Sequence, residues 1–224
     1  LQNHCVATPR NIENPIMFSK TAAPLIATLF LCLANLGAYS PKADVLVEAE
    51  SFSDIGGWVI DQQVIDQMGS PYLLAHGLGR SVKDATTSVA FPKNGTYRIW
   101  VRTRDWVGQW KTPDTRTGMR ASGYPGKFQL IVDGETLSTD FGTEKAQWHW
   151  QDGGTIKVRN RQATLTLRDL TGFNGRCDAI LFSSNPDATP SDSLADIRSI
   201  RNELLGFSDT PTNGGDFDFV VVGG

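Results

Sequence analysis

The stretch Gly95-Thr96-Tyr97-Arg98-Ile99-Trp100-Val101-Arg102-Thr103-Arg104 decides how this chain is read. Tyr97, Ile99, Val101 and Thr103 alternate with Arg98, Trp100, Arg102 and Arg104, and successive side chains of a strand leave on opposite faces. Pro92-Lys93-Asn94-Gly95 ahead of it is a turn by composition. The same punctuation recurs on both sides. Val45 to Glu50 opens a series of strands, Trp58-Val59-Ile60 follows a Gly-Gly pair, and Thr87 to Phe91 runs into the turn. Downstream, Phe128, Leu130 and Val132 alternate into Asp133-Gly134, a hairpin signal. Trp148 and Trp150 point the same way along one strand, and Ile156 and Val158 lead to Asn160-Arg161. Ala163, Leu165 and Leu167 alternate with threonines and Arg168, and Ala179 to Phe182 closes the set. No helical period interrupts the series, which predicts an all-β, two-sheet jelly-roll sandwich over residues 44–186.

The 224 residues suffice for one medium domain with appendages. A net charge of −3 supplies no global attraction to nucleic acid or to an anionic membrane, and the motifs of nucleic-acid folds are absent. Of the three cysteines, Cys5 and Cys32 precede the expected mature start. The module is left with Cys177 and no internal disulfide, and the spacings match no zinc site.

Both ends carry expectations of their own. Residues 1–43 read as upstream sequence and a secretory signal peptide: Lys20 follows Met17, an apolar run covers Leu25 to Ala34, and small residues stand near Ala38 and Ser40. The run is shorter than the ~20 residues that span a bilayer comfortably, and a retained anchor is the alternative reading. A secreted or periplasmic location is therefore expected, with no membrane partner once the signal is removed. Residues 187–215 predict a helix and a linker. Thr189 is the expected cap, Leu194, Ile197, Ile200, Leu204 and Leu205 share one face, and Gly206 stops the helix. Residues 216–224, ending Phe219-Val220-Val221-Val222-Gly223-Gly224, read like a first strand entering a phosphate loop. This tail resembles the start of the flavin-binding domain of FAD-dependent oxidoreductases. That resemblance implies a truncated Rossmann-type domain, with Gly223 and Gly224 at the cofactor and FAD only in the missing downstream part.

Five signals in order across residues 45–183 resemble the galactose-binding-like jelly rolls of carbohydrate-binding module families six and thirty-five. They are Val47-Glu48-Ala49-Glu50, Gly56-Gly57-Trp58, Gly95-Thr96-Tyr97-Arg98, Ile131-Val132-Asp133-Gly134 and Asp178-Ala179-Ile180-Leu181-Phe182. The small β-domains beside golvesin-like and xanthan-lyase-like proteins are equally similar. The resemblance implies a non-catalytic module of an exported protein that binds a polysaccharide or oligosaccharide. The other class left open is an accessory domain of an exported FAD-dependent oxidoreductase, with the downstream domain as its partner and no glycan of its own.

The candidate sites follow. Glu48 and Glu50, two apart on a strand, send two carboxylates to one face, and Asp178 offers a third. The resemblance implies a structural calcium on this set; the alternatives are a solvated face or carboxylates held by a nearby arginine. Trp106 and Trp110 lie in a long polar loop, where flat rings match the C–H faces of sugars better than they serve a core. Residues 102–127 hold six basic residues, Arg104, Lys111 and Arg120 among them, against two acidic ones. A local charge of that sign suits an acidic sugar, or a loop docked on an acidic surface. Asn174 resembles the sugar-binding asparagine of such modules. Trp58 and Trp100 belong to the core, and packing is the expected role of Trp148 and Trp150. His149 has no serine elbow or cysteine nucleophile beside it, and His76 stands in a glycine-rich turn without nucleotide-site context. No residue is assigned a catalytic role.

Overall fold

A computed structural model of the chain describes residues 43–112, 120–208, 210 and 213–220. The expected signal peptide with Cys5 and Cys32, Arg116 of the basic loop, and Gly223 and Gly224 lie outside the described residues.

Among the described residues, ten strands form two antiparallel sheets. They are β1 (Val45–Glu48), β2 (Val59–Asp61), β3 (Tyr72–Ala75), β4 (Ala85–Ala90), β5 (Gly95–Thr103), β6 (Phe128–Val132), β7 (Glu135–Thr136), β8 (His149–Val158), β9 (Gln162–Asp169) and β10 (Gly175–Ser183). The first sheet runs β2-β3-β10-β5-β8, with β1 also paired to β10; the second runs β4-β9-β6-β7. β10 is long enough to take both neighbours on one edge: Gly175 to Cys177 pair with β3, and Ala179 to Phe182 pair with β1. The Asp133-Gly134 turn between β6 and β7 is the expected one, both residues taking positive φ (49° and 82°).

The core lies between the sheets. Tyr97, Ile99 and Val101 of β5 meet Ile180 and Phe182 of β10 and, from the second sheet, Phe128, Leu130, Leu165 and Leu167. Trp58 is buried there, edge-on to Phe128 at 5.6 Å. The alternate residues of the first sheet are buried as well, because helices cover its outer face. The helix α2 (Leu194–Leu205) lays Ile200, Leu204 and Leu205 on Leu46, Trp100, Trp150 and Leu181. One helical turn, α1 (Ile65–Met68), brings Met68 against Tyr72, Leu74 and Trp148. Trp100, Trp148 and Trp150 therefore pack, as expected, but beneath helices rather than between sheets.

Three local readings are corrected. The cap of α2 is Ser193, whose hydroxyl accepts from Asp196 N at 3.2 Å, rather than Thr189. β1 ends at Glu48, and Glu50 stands in a 3-10 turn, Ala49–Ser51, so the two glutamates do not share a strand. β3, Tyr72–Ala75, was not expected: it is apolar on both faces, hence without alternation. Of the stretch 216–224, residues 216–220 are described and carry no strand pairing, and 221–224 lie outside the described residues.

Candidate functional site

Strand register gathers three loops at one end of the sandwich. Gly175 at the start of β10 faces Ala75 at the end of β3, Cys177 faces Thr103 at the end of β5, and Phe128 faces Asp169 at the end of β9. The loops after β3, β5 and β9 must therefore emerge together. Backbone bonds tie them: Gly77 N and Gly79 N both donate to Gly172 O, at 2.9 and 3.0 Å, and Asn174 N donates to Ala75 O at 2.7 Å. The buried Asp169 carboxylate accepts from Val82, Thr171 and Gly172 N–H at 2.9–3.1 Å. Thr171 Oγ1 donates to Pro125 O. A Cβ on Gly126 would lie 2.8 Å from the Trp106 ring and 2.9 Å from Asn174 O, so only glycine lets the loops approach this closely.

On this base stands a cluster of rings. Trp106, half-buried, forms the floor, with Trp110 edge-on at 5.7 Å and Phe173 at 5.4 Å. His76 lies 6.1 Å from Phe173, and its Nδ1 is 2.7 Å from Asn174 Oδ1. Arg176 donates to Asn174 O at 2.9 Å, its guanidinium 5.7 Å from the centre of the Trp106 ring. Trp110 is 50% exposed, Tyr124 44% and Phe173 36%, although each ring is large enough to be worth burying. A rim of exposed rings around a fixed polar group is an arrangement suited to a flat, hydroxylated ligand.

The expected binding residues divide. Trp106, Trp110 and Asn174 come together. Lys111 stays beside them, but its ammonium is 2.6 Å from the buried Asp105 carboxylate and 3.4 Å from the centre of the Tyr124 ring, so it serves the loop first. Arg104 turns elsewhere, into a polar cavity of about 360 Å³ with Gln67, Arg102, Gln109, Gln147 and Trp148. Burial, with the like charge of Arg176, lowers its pKa. Arg120 is exposed and joins none of the ring contacts described. Phe173, Tyr124 and Arg176 carry no signal of their own in the sequence, and His76 is given no ligand there. The available signal was their position in loops flanking strand ends that pair.

The expected calcium set lies on the outer face of the first sheet. Glu48 and Asp178 do meet, with a guanidinium between them. Arg201 of α2 places Nε 2.5 Å from Glu48 Oε1 and Nη2 3.1 Å from Glu48 Oε2, with the same Nη2 3.2 Å from Asp178 Oδ2. Arg102 Nη1 adds a bond of 2.8 Å to Asp178 Oδ2. Burial, with Glu48 and Asp178 nearby, raises the Glu50 pKa to about 8. Burial also raises Asp178, to about 6, against the pull of Arg102 and Arg201. Among the described residues, no group of three or more His, Cys, Asp or Glu side chains is arranged to hold a metal ion. The residues present do not fit calcium.

His149 is buried, its Nε2 3.3 Å from Glu144 Oε2, and Cys177 is a buried free thiol whose pKa burial raises. Among the described residues no helix is long and apolar enough to cross a membrane.

No family model matches the chain, and no curated protein matches it. Solved structures do. The Podospora anserina GH26-CBM35 β-(1,4)-mannanase is 16% identical with a TM-score of 0.47, covering 66% of this chain and 30% of its own. A family 35 carbohydrate-binding module from Clostridium thermocellum is 15% identical with a TM-score of 0.45, covering 64% of this chain and 99% of its own. The C-terminal CBM6 of a marine laminarinase from Zobellia galactanivorans is 16% identical with a TM-score of 0.44, covering 63% and 99%. The chain thus matches under a third of the mannanase's length.

Proposed function

We propose that this chain is a non-catalytic carbohydrate-binding module of an exported protein, and that the ring cluster at the loop end is its binding site. The observation that carries this reading is the exposure of Trp110 and Phe173 on either side of Trp106, with the His76–Asn174 pair beside Phe173, on loops pinned by their own backbone. Apolar C–H faces of a pyranose stack on such rings, while Asn174, His76 and Arg176 offer hydrogen bonds to its hydroxyls. Arg176 also supplies a charge for a carboxylate, so acidic glycans bind better than neutral ones in this reading.

Covering one face of an exposed indole at roughly 25 cal/mol per Å² supplies about 1–2 kcal/mol, near tenfold in affinity. The test is a panel of neutral and uronate-containing polysaccharides, followed by calorimetric titration of the ligand found. Trp110→Ala and Phe173→Ala are each expected to weaken binding about tenfold, and Arg176→Gln to erase the preference for acidic over neutral glycans. Salt weakens the acidic interaction more than the neutral one. Wild-type affinity in both ring variants would place the site elsewhere. A wild-type chain that binds nothing on the panel favours the accessory-domain reading. There, an FAD-dependent oxidoreductase domain covers the exposed Phe217, Phe219 and Val220.

A further inference from the structure

We infer that Arg201 is the resident cation of the Glu48–Asp178 cluster: the guanidinium carried by α2 stands where the resemblance places calcium, and it latches the helix onto the sandwich. The inference is independent of the carbohydrate reading. It begins from an anomaly in α2. Arg201 lies in the apolar stripe, four residues after Ile197, and is only 7% exposed. A guanidinium so placed is costly unless its N–H groups are met. Here all three nitrogens are engaged. Nε and Nη2 hold the two oxygens of Glu48 in a forked pair, Nη1 donates to Met68 O at 2.6 Å, and Nη2 also meets Ser70 Oγ at 2.6 Å. Ser70 in turn donates to Asp178 Oδ1 at 3.0 Å.

The surrounding turn is shaped to admit this group. Gly69 closes α1 with a φ of 78°, and a Cβ there would stand 3.1 Å from Arg201 Nη1. β1, β10, α1 and α2 thus converge on a single guanidinium.

Calcium needs six to eight oxygens at about 2.4 Å. Both oxygens of Glu48 and both of Asp178 already face nitrogens of Arg201 or Arg102. A divalent ion admitted here meets two positive side chains at contact distance, a repulsion that offsets its attraction to the carboxylates. The latch therefore leaves no place for calcium at this cluster and makes α2 part of the module, so that the chain leaving Gly206 starts from a fixed point on the sandwich.

The experiment uses the whole purified chain. Titrated calorimetrically with calcium chloride, the wild type is expected to give no binding isotherm, and its Tm is expected to be the same in calcium and in EGTA. Removing one partner of a buried ion pair leaves the other uncompensated, so Arg201→Met is expected to melt about 10 °C lower. Arg201→Lys recovers only part of that, because an ammonium cannot form the fork. A saturable calcium isotherm with a Tm that climbs with calcium overturns the inference. So does an Arg201→Met chain melting within about 2 °C of wild type. Should Arg201→Met fail to fold, the wild-type calcium titration decides alone.

Discussion

Cut after Pro186, the chain is expected to lose cooperative unfolding or to melt more than about 15 °C below the intact protein. The strand pattern ends the module at 186, yet α2 seals its outer face. Removing α2 uncovers Leu46, Trp100, Trp150 and Leu181, none of them more than 7% exposed in the intact chain. It also removes two bonds that fix Trp150: Asp192 Oδ1 accepts from its backbone N–H at 2.8 Å, and Ser191 O from its indole at 3.2 Å. Ile197, Ile200, Leu204 and Leu205 each contribute on the order of 1–2 kcal/mol by burial. Stranding Glu48 without Arg201 costs about 3–5 kcal/mol. The sum exceeds about 5 kcal/mol, comparable with the whole stability of an ordinary domain. Differential scanning calorimetry of the two lengths, with a dye that reports exposed apolar surface, is the measurement. Equal melting within about 5 °C and no dye binding by the short form would show that α2 is dispensable.

What the sequence discloses divides along a physical line. Period-two alternation in β5, β6 and β9 and the Asp133-Gly134 turn are local, so the sandwich is legible from neighbours in the chain. β3 was hidden because burial on both faces erases alternation, and its Tyr72-Leu73-Leu74-Ala75 run is too short to be distinguished from a helical segment. The cap of α2 shows how competing local signals mislead. Thr189-Pro190 has the right composition, but it is the Ser193 hydroxyl that accepts a free N–H of the first turn, that of Asp196, while donating to the Asp196 carboxylate.

The candidate site is harder to read because its members are separated by up to about a hundred residues, from His76 to Arg176, and are joined only by strand register. Trp106 and Trp110 were legible as aromatics in a polar loop. Phe173, one residue from Asn174, was overlooked because a single ring in a short loop carries no pattern. The cation at Glu48 and Asp178 escaped for the opposite reason. Charge complementarity pointed to a positive group, and arginine was among the alternatives, but its source was a helix 153 residues along the chain from Glu48. The visible clue was Arg201 in an apolar stripe.

Those buried charges give the last expectation, a stability that falls as pH rises across neutrality. Glu48, Glu50 and Asp178 bring three carboxyl groups together against Arg102 and Arg201, so the cluster is neutral only with one proton retained. Glu50 is the group that keeps it. Its Oε2 is buried and accepts no hydrogen bond from the described residues, and burial raises its pKa from 4.5 to about 8. A carboxyl whose folded pKa lies above its unfolded value stabilises fully below the unfolded value, and that contribution is lost as pH climbs through the folded one. Asp178, raised to about 6, acts in the same direction over the lower part of the window. The thiol of Cys177, raised by burial, stays neutral throughout. Asp152, lowered chiefly by its bond to Arg98 despite partial burial, acts oppositely, but only below its ordinary range. Stability is therefore expected to fall between about pH 5 and pH 8. One released proton changes it by at most about 1.4 kcal/mol per pH unit, and partial solvent access to Glu50 reduces the total to about 2–3 kcal/mol, or 5–10 °C in Tm. Glu50→Gln keeps the shape of the protonated side chain without its proton equilibrium. It should melt with the wild type at pH 5 and above it at pH 8. A wild-type Tm that rises from pH 5 to 8, or a Glu50→Gln chain with the wild-type slope, would assign the retained proton to another group.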